Sequence, residues 1–457
     1  MKPVTLEKIA EVTGGKYYGP ILRRLERITG VCTDSKSVEE GNLFVCIRGK
    51  RTDGHLFAKA ACEAGAICRL SEERLEDGYP YVLVESTLKA LRDLAEWYRS
   101  LFHIPVIGVI GSVGKTTTKE LTAAVLNMEK CVHKTRGNLN NEIGVPLTLL
   151  GLREEHEAAV IEMGISDFGE MRLLSKMVRP DIVIFTAIGY CHLENLGDLA
   201  GVLKAKSEVF EYMASDAVAV MNGDDEMLRN YDPGVRKITY GINENNDVRA
   251  ENVENLGFDG VSCDIVAGGS RIFTLIPAFG IHIVYAALAA ACVARLLGLS
   301  PESITRGLHN YHPVGGRANI ISTDTLTIVD DCYNANPNSM AAAIRSLSSL
   351  RSLVGKTGKR IAILGDMKEL GPDSREMHRK IGELCAERKI DITICIGEDA
   401  AEIANGCAMG GSLAVYLRTK EQLYPYLARL LGKGDVVLVK ASHSMEFEEI
   451  VEKLKKY

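Results

Sequence analysis

The chain has 457 residues, a formal net charge of −6, 46% hydrophobic and 25% charged residues, an ordinary globular composition with room for roughly two to four domains. There is no basic excess to hold a nucleic-acid backbone, no apolar run long enough to span a bilayer, and no signal-peptide core within Met1–Gly15. The 12 cysteines stand singly, without a Cys-x-x-Cys pair, which argues against structural zinc or a disulfide framework and for a reducing, cytoplasmic setting.

Residues 1–84 alternate short apolar segments with turns, such as Asn42–Ile47 followed by a turn at 48–50, and a helix is expected over Gly54–Ala64. This pattern predicts a small α/β domain. An amphipathic helix is expected over Leu88–Leu101, which carries the single tryptophan, Trp97. Pro105–Ile110 is then a continuous apolar run bounded by glycine, the mark of a buried parallel strand. Similar runs at Ala158–Ile161 and Asp181–Thr186 predict a doubly wound parallel sheet within a second domain, 85–313. Ala286–Leu297 has the length and alanine content of a buried core helix, in which Cys292 is a small hydrophobe. Gly268-Gly269 and Gly315-Gly316 read as loop punctuation. In a third domain, 314–457, strand candidates at Thr327–Val329, Arg360–Leu364, Ile392–Ile396 and Val436–Val439 alternate with helical segments.

The sharpest local signal is Gly111-Ser112-Val113-Gly114-Lys115-Thr116-Thr117-Thr118, between the Pro105–Ile110 strand and a helix running toward Met128. Such a turn lets backbone N–H groups close around phosphate oxygens, and the helix N-terminus adds about half a positive charge. Lys115 is placed to bridge β- and γ-phosphates, and the Thr116 hydroxyl to reach Mg²⁺. A full nucleotide loop has glycine five positions before Gly114, where Val109 stands; the shorter Gly-x-x-Gly-Lys-Thr form remains. Phosphate binding alone fits an ATPase, a kinase, a GTP switch or a ligase. The fold expected is α/β throughout: a central doubly wound phosphate-loop ATPase domain between a small N-terminal α/β domain and a C-terminal Rossmann-like one.

Further motifs follow in order. They are Lys119-Glu120, Thr135-Arg-Gly-Asn138-Leu-Asn140-Asn141-Glu-Ile-Gly144-Val-Pro146, Glu162-Met-Gly164, His192-Leu-Glu194, Lys204-Ala-Lys206-Ser-Glu208 and Asn222-Gly-Asp-Asp225. The third block adds Gly316-Arg317, Asp330-Asp331-Cys-Tyr333-Asn334-Ala-Asn336-Pro337, Leu364-Gly-Asp-Met-Lys-Glu369-Leu-Gly371 and Lys440-Ala-Ser442. In this order the sequence resembles the Mur ligases, and among them the branch that adds D-alanyl-D-alanine to UDP-N-acetylmuramoyl-tripeptide for peptidoglycan. The resemblance implies an ATP-dependent amide-bond-forming ligase working through an acyl phosphate. It implies an N-terminal domain for the UDP substrate, a central one for ATP and a last one for the dipeptide. A monomer with no membrane span and no nucleic-acid partner is expected.

The resemblance also assigns residues. Gly111 to Thr117, Asn222, Arg317 and Asp331 would bind ATP, with Asp331 on the ribose. Glu162 would hold one Mg²⁺ with Thr116; His192 and Lys206, the latter carbamylated to N6-carboxylysine, would hold a second. Lys115, Glu162, His192 and Lys206 form the catalytic set. Thr135, Asn138, Asn140, Asn141, Ser166, Tyr333, Asn334, Asn336, Lys440 and Ser442 would contact the reacting substrates; Ser35, Lys36, Asp53 and His55 would meet the UDP end. Simpler readings stand beside these. The asparagines and the Thr33–Lys36 and Asp53–His55 segments have turn chemistry, Lys204 competes with Lys206, and Arg317 and Asp331 also suit an interdomain salt bridge.

Some positions depart from the family pattern. Ile283 and Ala286 replace two asparagines that usually follow the histidine at His282, removing amide readout of adenine there. Ala441-His443 stands where Gly-Ser-Arg is usual, and Lys36 stands for arginine, losing a bidentate donor. A related ligase that adds a different amino acid or peptide is the nearest alternative, and a nucleotide-gated binding protein without turnover is the one from another class; Glu162, His192 and Lys206 together weigh against the latter. A hinge is expected near Tyr311–Gly316.

Overall fold

The computed structural model describes residues 1–49, 52–350 and 358–457. Lys50, the end of the expected 48–50 turn, lies outside them.

The first block is a five-stranded sheet of β1 (Lys16–Tyr18), β2 (Gly30–Cys32), β3 (Asn42–Val45), β4 (Cys68–Ser71) and β5 (Tyr81–Leu83), in the order β1-β5-β4-β3-β2. Only the β1–β5 pair is antiparallel. The helix expected over Gly54–Ala64 is two pieces, a tight 3₁₀ turn over Gly54–Phe57 and an α-helix over Ala58–Glu63. The Asp53 side chain accepts from the His55 N–H and so starts the first piece as a turn. Helix α1 (Thr87–Arg99), capped by Ser86, buries Leu91, Leu94 and Tyr98 and leads into the central sheet.

The central sheet contains β6 (Val106–Ile110), β7 (Val132–Lys134), β8 (Ala158–Glu162), β9 (Ile182–Phe185), β10 (Val218–Asn222), β11 (Arg236–Gly241), β12 (Val248–Asn255), β13 (Val261–Ala267) and β14 (Ser270–Ile276). Their order is β14-β13-β12-β11-β10-β9-β6-β8-β7, parallel from β7 to β12. Strands β6, β8, β9 and β10 are buried at every position, as strands covered on both faces must be. The antiparallel flank β12–β14 is absent from the sequence reading. Gly268 and Gly269, expected only as a loop, both have positive φ and form the two-residue turn of its hairpin. Helix α2 (Lys115–Leu126) lies on one face of the sheet. It packs against the apolar helix α4 (Ile283–Leu296), and α3 (Leu199–Ser207) lies between them in sequence.

The third sheet contains β15 (Asn319–Ser322), β16 (Leu326–Asp330), β17 (Arg360–Gly365), β18 (Ile392–Ile396), β19 (Ala414–Leu417) and β20 (Asp435–Lys440). It runs β15-β16-β20-β17-β18-β19, with only β15 antiparallel. Helix α5 (Pro337–Ser349) covers it on the side facing the central sheet. Among the described residues no helix is long and apolar enough to cross a membrane, and all 12 cysteines are free thiols.

Gly111 shows how closely the loop after β6 is fitted. Its φ is 136°, and a Cβ there would stand 2.0 Å from Thr186 Oγ1. Gly111→Ala is expected to lose about 1–3 kcal/mol of stability. Denaturant unfolding against the parent chain measures it.

Candidate active site

The chain steps from β6 to β8 on one side and to β9 on the other. Strand order therefore reverses at β6, which opens a crevice at its carboxyl end. The Gly111–Thr117 turn fills that point. Gly114, with φ 80°, ends the turn and starts α2, whose free N–H groups face the crevice. A cavity of about 700 Å³ extends from it between the central and third sheets.

Within this cleft Lys115 Nζ donates to its own loop at Gly111 O, 2.8 Å away. Desolvation by the cleft walls lowers its pKa, and the nearby Glu162 carboxylate acts the other way. Glu162 ends β8 and is 1% exposed. It is held on three sides: Thr116 Oγ1 donates to Oε2 at 2.9 Å, Asn140 Nδ2 donates to Oε1 at 2.7 Å, and the Glu162 N–H donates to Thr135 Oγ1 at 2.9 Å.

Beneath it lies Lys119, wholly buried, with Nζ 3.7 Å from Glu162 Oε2 and 2.9 Å from Glu120 Oε1. The Nζ is out of line for a hydrogen bond to either. Glu120 in turn pairs with Lys134. The buried carboxylate at the loop is thus balanced by a cation that sequence reasoning left without a role. The signal was its spacing: Thr116 and Lys119 are three residues apart and share the buried face of α2.

On the far side of the loop, His192 has φ 52° and its Nδ1 lies 2.6 Å from Glu369 Oε2 of the third block. That contact holds the Glu369 carboxyl below the usual carboxylate range. Lys206, on α3, is 1% exposed, and burial lowers its pKa to about 8. Cys191, Lys115 and Glu170 are its charged or titratable neighbours, and Nζ has no hydrogen-bond or ion-pair partner among the described residues. Lys204, its competitor, faces outward over the Phe168 ring, 5.9 Å from the centroid.

The third sheet supplies the opposite wall. Arg317 lies over the Tyr333 ring, 4.0 Å from its centroid, and both line the cavity. Lys440, 2% exposed, pairs with Asp331 at 2.6 Å and donates to Asn334 O at 2.9 Å. The sequence reading gave Lys440 to a dipeptide and Asp331 to a ribose; here they hold each other. Asn222 donates to Thr186 O at 2.9 Å and accepts from the Asp224 N–H, which fixes it in the cavity wall. His282 is desolvated and kept toward its neutral form, and the adjoining wall is Ala278, Phe279, Ile283 and Ala286.

The cavity therefore gathers Ser112 to Thr117, Asn140, Asn141, Glu162, Ser166, His192, Asn222, Arg317, Asp331, Tyr333, Asn334, Asn336 and Lys440. Gly111, Thr135 and Lys206 support it from behind. Asn138 is exposed outside it. Turn capping, weighed for the asparagines, holds for Asn141, whose Oδ1 accepts from the Ile143 and Gly144 N–H groups. Asn336 caps α5 through a reciprocal pair with Ser339; the following Pro337 was the readable signal. Ser442 Oγ accepts from the Lys368 N–H, within the third block.

Ser35, Lys36, Asp53 and His55 lie at two 3₁₀ turns of the first block, apart from the cavity lining. Both nitrogens of the buried His55 ring are engaged, Nδ1 by Asp53 and Nε2 by the Glu72 N–H. Asp53 also pairs with Arg48 at 2.9 Å. This is the turn chemistry allowed for that segment.

The donors at the loop suit a hard cation. Thr116 Oγ1 and Glu162 Oε2 stand side by side, and Mg²⁺ takes one or two protein oxygens and completes its shell with phosphates and water. His192 and an unmodified lysine would not make a second such site. His192 with a carboxylated Lys206 would, because the modification turns an amine into an oxygen donor.

Family models described as Mur ligase catalytic domain, Mur ligase middle domain and Mur ligase glutamate ligase domain match residues 27–99, 109–294 and 316–443. The chain is 37% identical to the UDP-N-acetylmuramoyl-tripeptide--D-alanyl-D-alanine ligase of Bacillus subtilis (strain 168) over 456 residues, 98% of both chains. It is 34% identical to the ligase of the same name in Escherichia coli (strain K12), covering 99% of both. Among solved structures, MurF from Acinetobacter baumannii superposes with a TM-score of 0.91 at 29% identity over 100% of both chains. MurF ligase from Thermotoga maritima in complex with ADP does so at 0.82 and 31%, over 93% of this chain and 97% of that one. Likeness of this extent runs through all three sheets and the cleft between them, and the chain belongs to the Mur ligase family of ATP-dependent amide-bond-forming ligases.

Proposed function

We propose that this chain joins D-alanyl-D-alanine to UDP-N-acetylmuramoyl-tripeptide, with ATP hydrolysed to ADP and phosphate, in peptidoglycan precursor synthesis. The observation that carries this reading is the cleft itself. A phosphate loop and a buried carboxylate on one sheet face a basic and amide-rich wall on another.

A carboxylate is a poor electrophile. One oxygen of the tripeptide carboxylate attacks the γ-phosphorus, and the bond to ADP breaks. The amine of the dipeptide then attacks the carbonyl carbon of the acyl phosphate, loses a proton and expels phosphate. Both anions must approach each other, so positive charge and excluded water are needed where they meet. Lys115 and the N–H groups of α2 supply charge at the phosphates. Thr116 and Glu162 would hold Mg²⁺, with Thr135, Asn140 and Lys119 keeping Glu162 in place. When bound, Mg²⁺ neutralises the phosphate oxygens and orients them for in-line transfer.

His192 and a carboxylated Lys206 are the pair for a second Mg²⁺. A neutral amine is the form that reacts with CO₂, and burial makes it accessible near pH 8 at Lys206. Arg317 and Asn222 flank the nucleotide; Tyr333, Asn334 and Asn336 stand on the acceptor side. Residues 1–84 carry the UDP end through Ser35, Lys36 and the Asp53–His55 turn, 85–313 carry ATP, and 314–457 carry the dipeptide. The enzyme works as a cytoplasmic monomer.

Phosphate release measured with both substrates, and with each omitted in turn, tests the assignment. Release is expected only with the nucleotide-linked tripeptide and the dipeptide together. Release that ignores the dipeptide overturns the ligase reading.

A further inference from the structure

Glu369 belongs to the third block, in the loop after β17, yet its contacts cross to the central one. Its Oε2 lies 2.6 Å from His192 Nδ1, and its backbone oxygen accepts from the Leu193 N–H at 3.1 Å. Two residues on, a Cβ added at Gly371 would stand 3.8 Å from Glu194 N and 4.0 Å from Leu193 C. Glu369 has φ 64° and His192 has φ 52°. Both are left-handed, a conformation that side-chain-bearing residues adopt at a cost and keep only where the surroundings impose it. Two such residues meet here, across a domain boundary, through both side chain and backbone.

The chemistry of the contact is directional. A carboxylate on Nδ1 favours the Nδ1–H tautomer, sets the ring plane and leaves the other ring nitrogen, Nε2, free to accept. Glu369 is carried by the third sheet, so this contact exists only while that sheet is docked on the central one. The central block alone offers His192 no equivalent acceptor among its described contacts.

We propose that Glu369 is a positioning residue: on closure the acceptor-binding domain delivers the carboxylate that orients His192, so the phosphate side of the cleft is complete only when the acceptor side has docked. This rests on the reading above in which His192, with a carboxylated Lys206, holds the second Mg²⁺. It gives a physical reason for ordering. A nucleotide bound to the open enzyme meets an unoriented His192, and transfer waits for the domain that holds the amine. The hinge expected for that movement lies near Tyr311–Gly316.

The Glu369 side chain is 58% exposed, so its loss leaves the core untouched. Glu369→Gln and Glu369→Ala are compared with the parent enzyme. kcat is expected to fall about 10–100-fold in Glu369→Ala, the range usual for partners behind a ligand, and less in Glu369→Gln. The KM for ATP should stay put. Nitrogen NMR of the His192 ring in the ADP-bound enzyme should show the single tautomer of the parent become a mixture in Glu369→Ala. Distances between spin labels on the central and third domains should broaden with ADP present. Parent-like kcat together with an unchanged His192 signal overturns the proposal. The nitrogen signal does not depend on turnover, so it separates this failure from failure of the ligase reading, which the substrate-omission assay decides.

Discussion

Lys115→Ala is expected to lower phosphate release and ligation by about a thousandfold or more, with nucleotide binding weakened but the fold kept. Removing one preorganised donor from developing charge costs about 10²–10³ in rate, and removing a cation from a transferring phosphoryl group costs up to about 10⁵. Lys115 is the cation at that place. Its neighbours leave no substitute: Lys119 is sealed beneath Glu162 and Glu120, Lys206 is behind the loop, and Arg317 lies on the opposite wall over Tyr333. The Nζ bond to Gly111 O is the resting arrangement, which phosphate oxygens would displace. Phosphate-release kinetics, with ADP affinity by calorimetry and far-ultraviolet circular dichroism for the fold, check it. Activity within about tenfold of the parent would place the phosphate site elsewhere.

Removal of bicarbonate is expected to silence most of the activity, and its return to restore it, if Lys206 carries CO₂. The direction with pH follows from burial. Lys206 loses its proton near pH 8, below the ordinary lysine value of 10.5. The neutral amine that adds CO₂ is therefore scarce below that pH and dominant above it. At fixed dissolved CO₂, reactivation of stripped enzyme should accelerate as pH rises through about 8, then level off. Lys206→Ala should be inactive at every bicarbonate level, whereas Lys204→Ala should behave as the parent does. A carbamate carbon signal by NMR after labelled bicarbonate gives a readout independent of turnover. Activity indifferent to bicarbonate removes the modified lysine from the reading.

The parts of this fold that sequence alone revealed share one property: their cause is local or continuous. Strand β6 is five buried residues in a row, and a strand covered on both faces reads as an unbroken apolar run. The phosphate loop is eight consecutive residues whose glycines and lysine explain themselves. Strand β12 escaped because its buried positions are interleaved with charged, part-exposed ones, which hid the edge on which β13 and β14 build. Val248–Asn255 mixes Arg249, Glu251 and Glu254 with buried Val248 and Ala250.

The arrangement around Glu162 is tertiary. Thr116 and Lys119 from α2 and Thr135 and Asn140 from the segment after β7 converge on it from two separate stretches, and no local spacing joins those stretches to Glu162. A lysine on a helix also reads as solvated, and Lys119 is fully enclosed because Glu120 and Glu162 offset its charge. The pairing of Lys440 with Asp331 was out of reach for the same reason, joining residues 109 apart in sequence.

The walls of the cleft have separate ancestry in the chain. In the proposed reading the phosphate loop and its buried carboxylate come from the sheet around β6, and Tyr333, Asn334 and Asn336 from the block around β20, with Arg317 and Glu369 reaching across the gap. Drift among the residues that do not reach across the gap leaves the opposite wall mechanically intact. A scaffold divided this way can change what it couples without reinventing how it drives the coupling, by substitutions confined to one half of the gap.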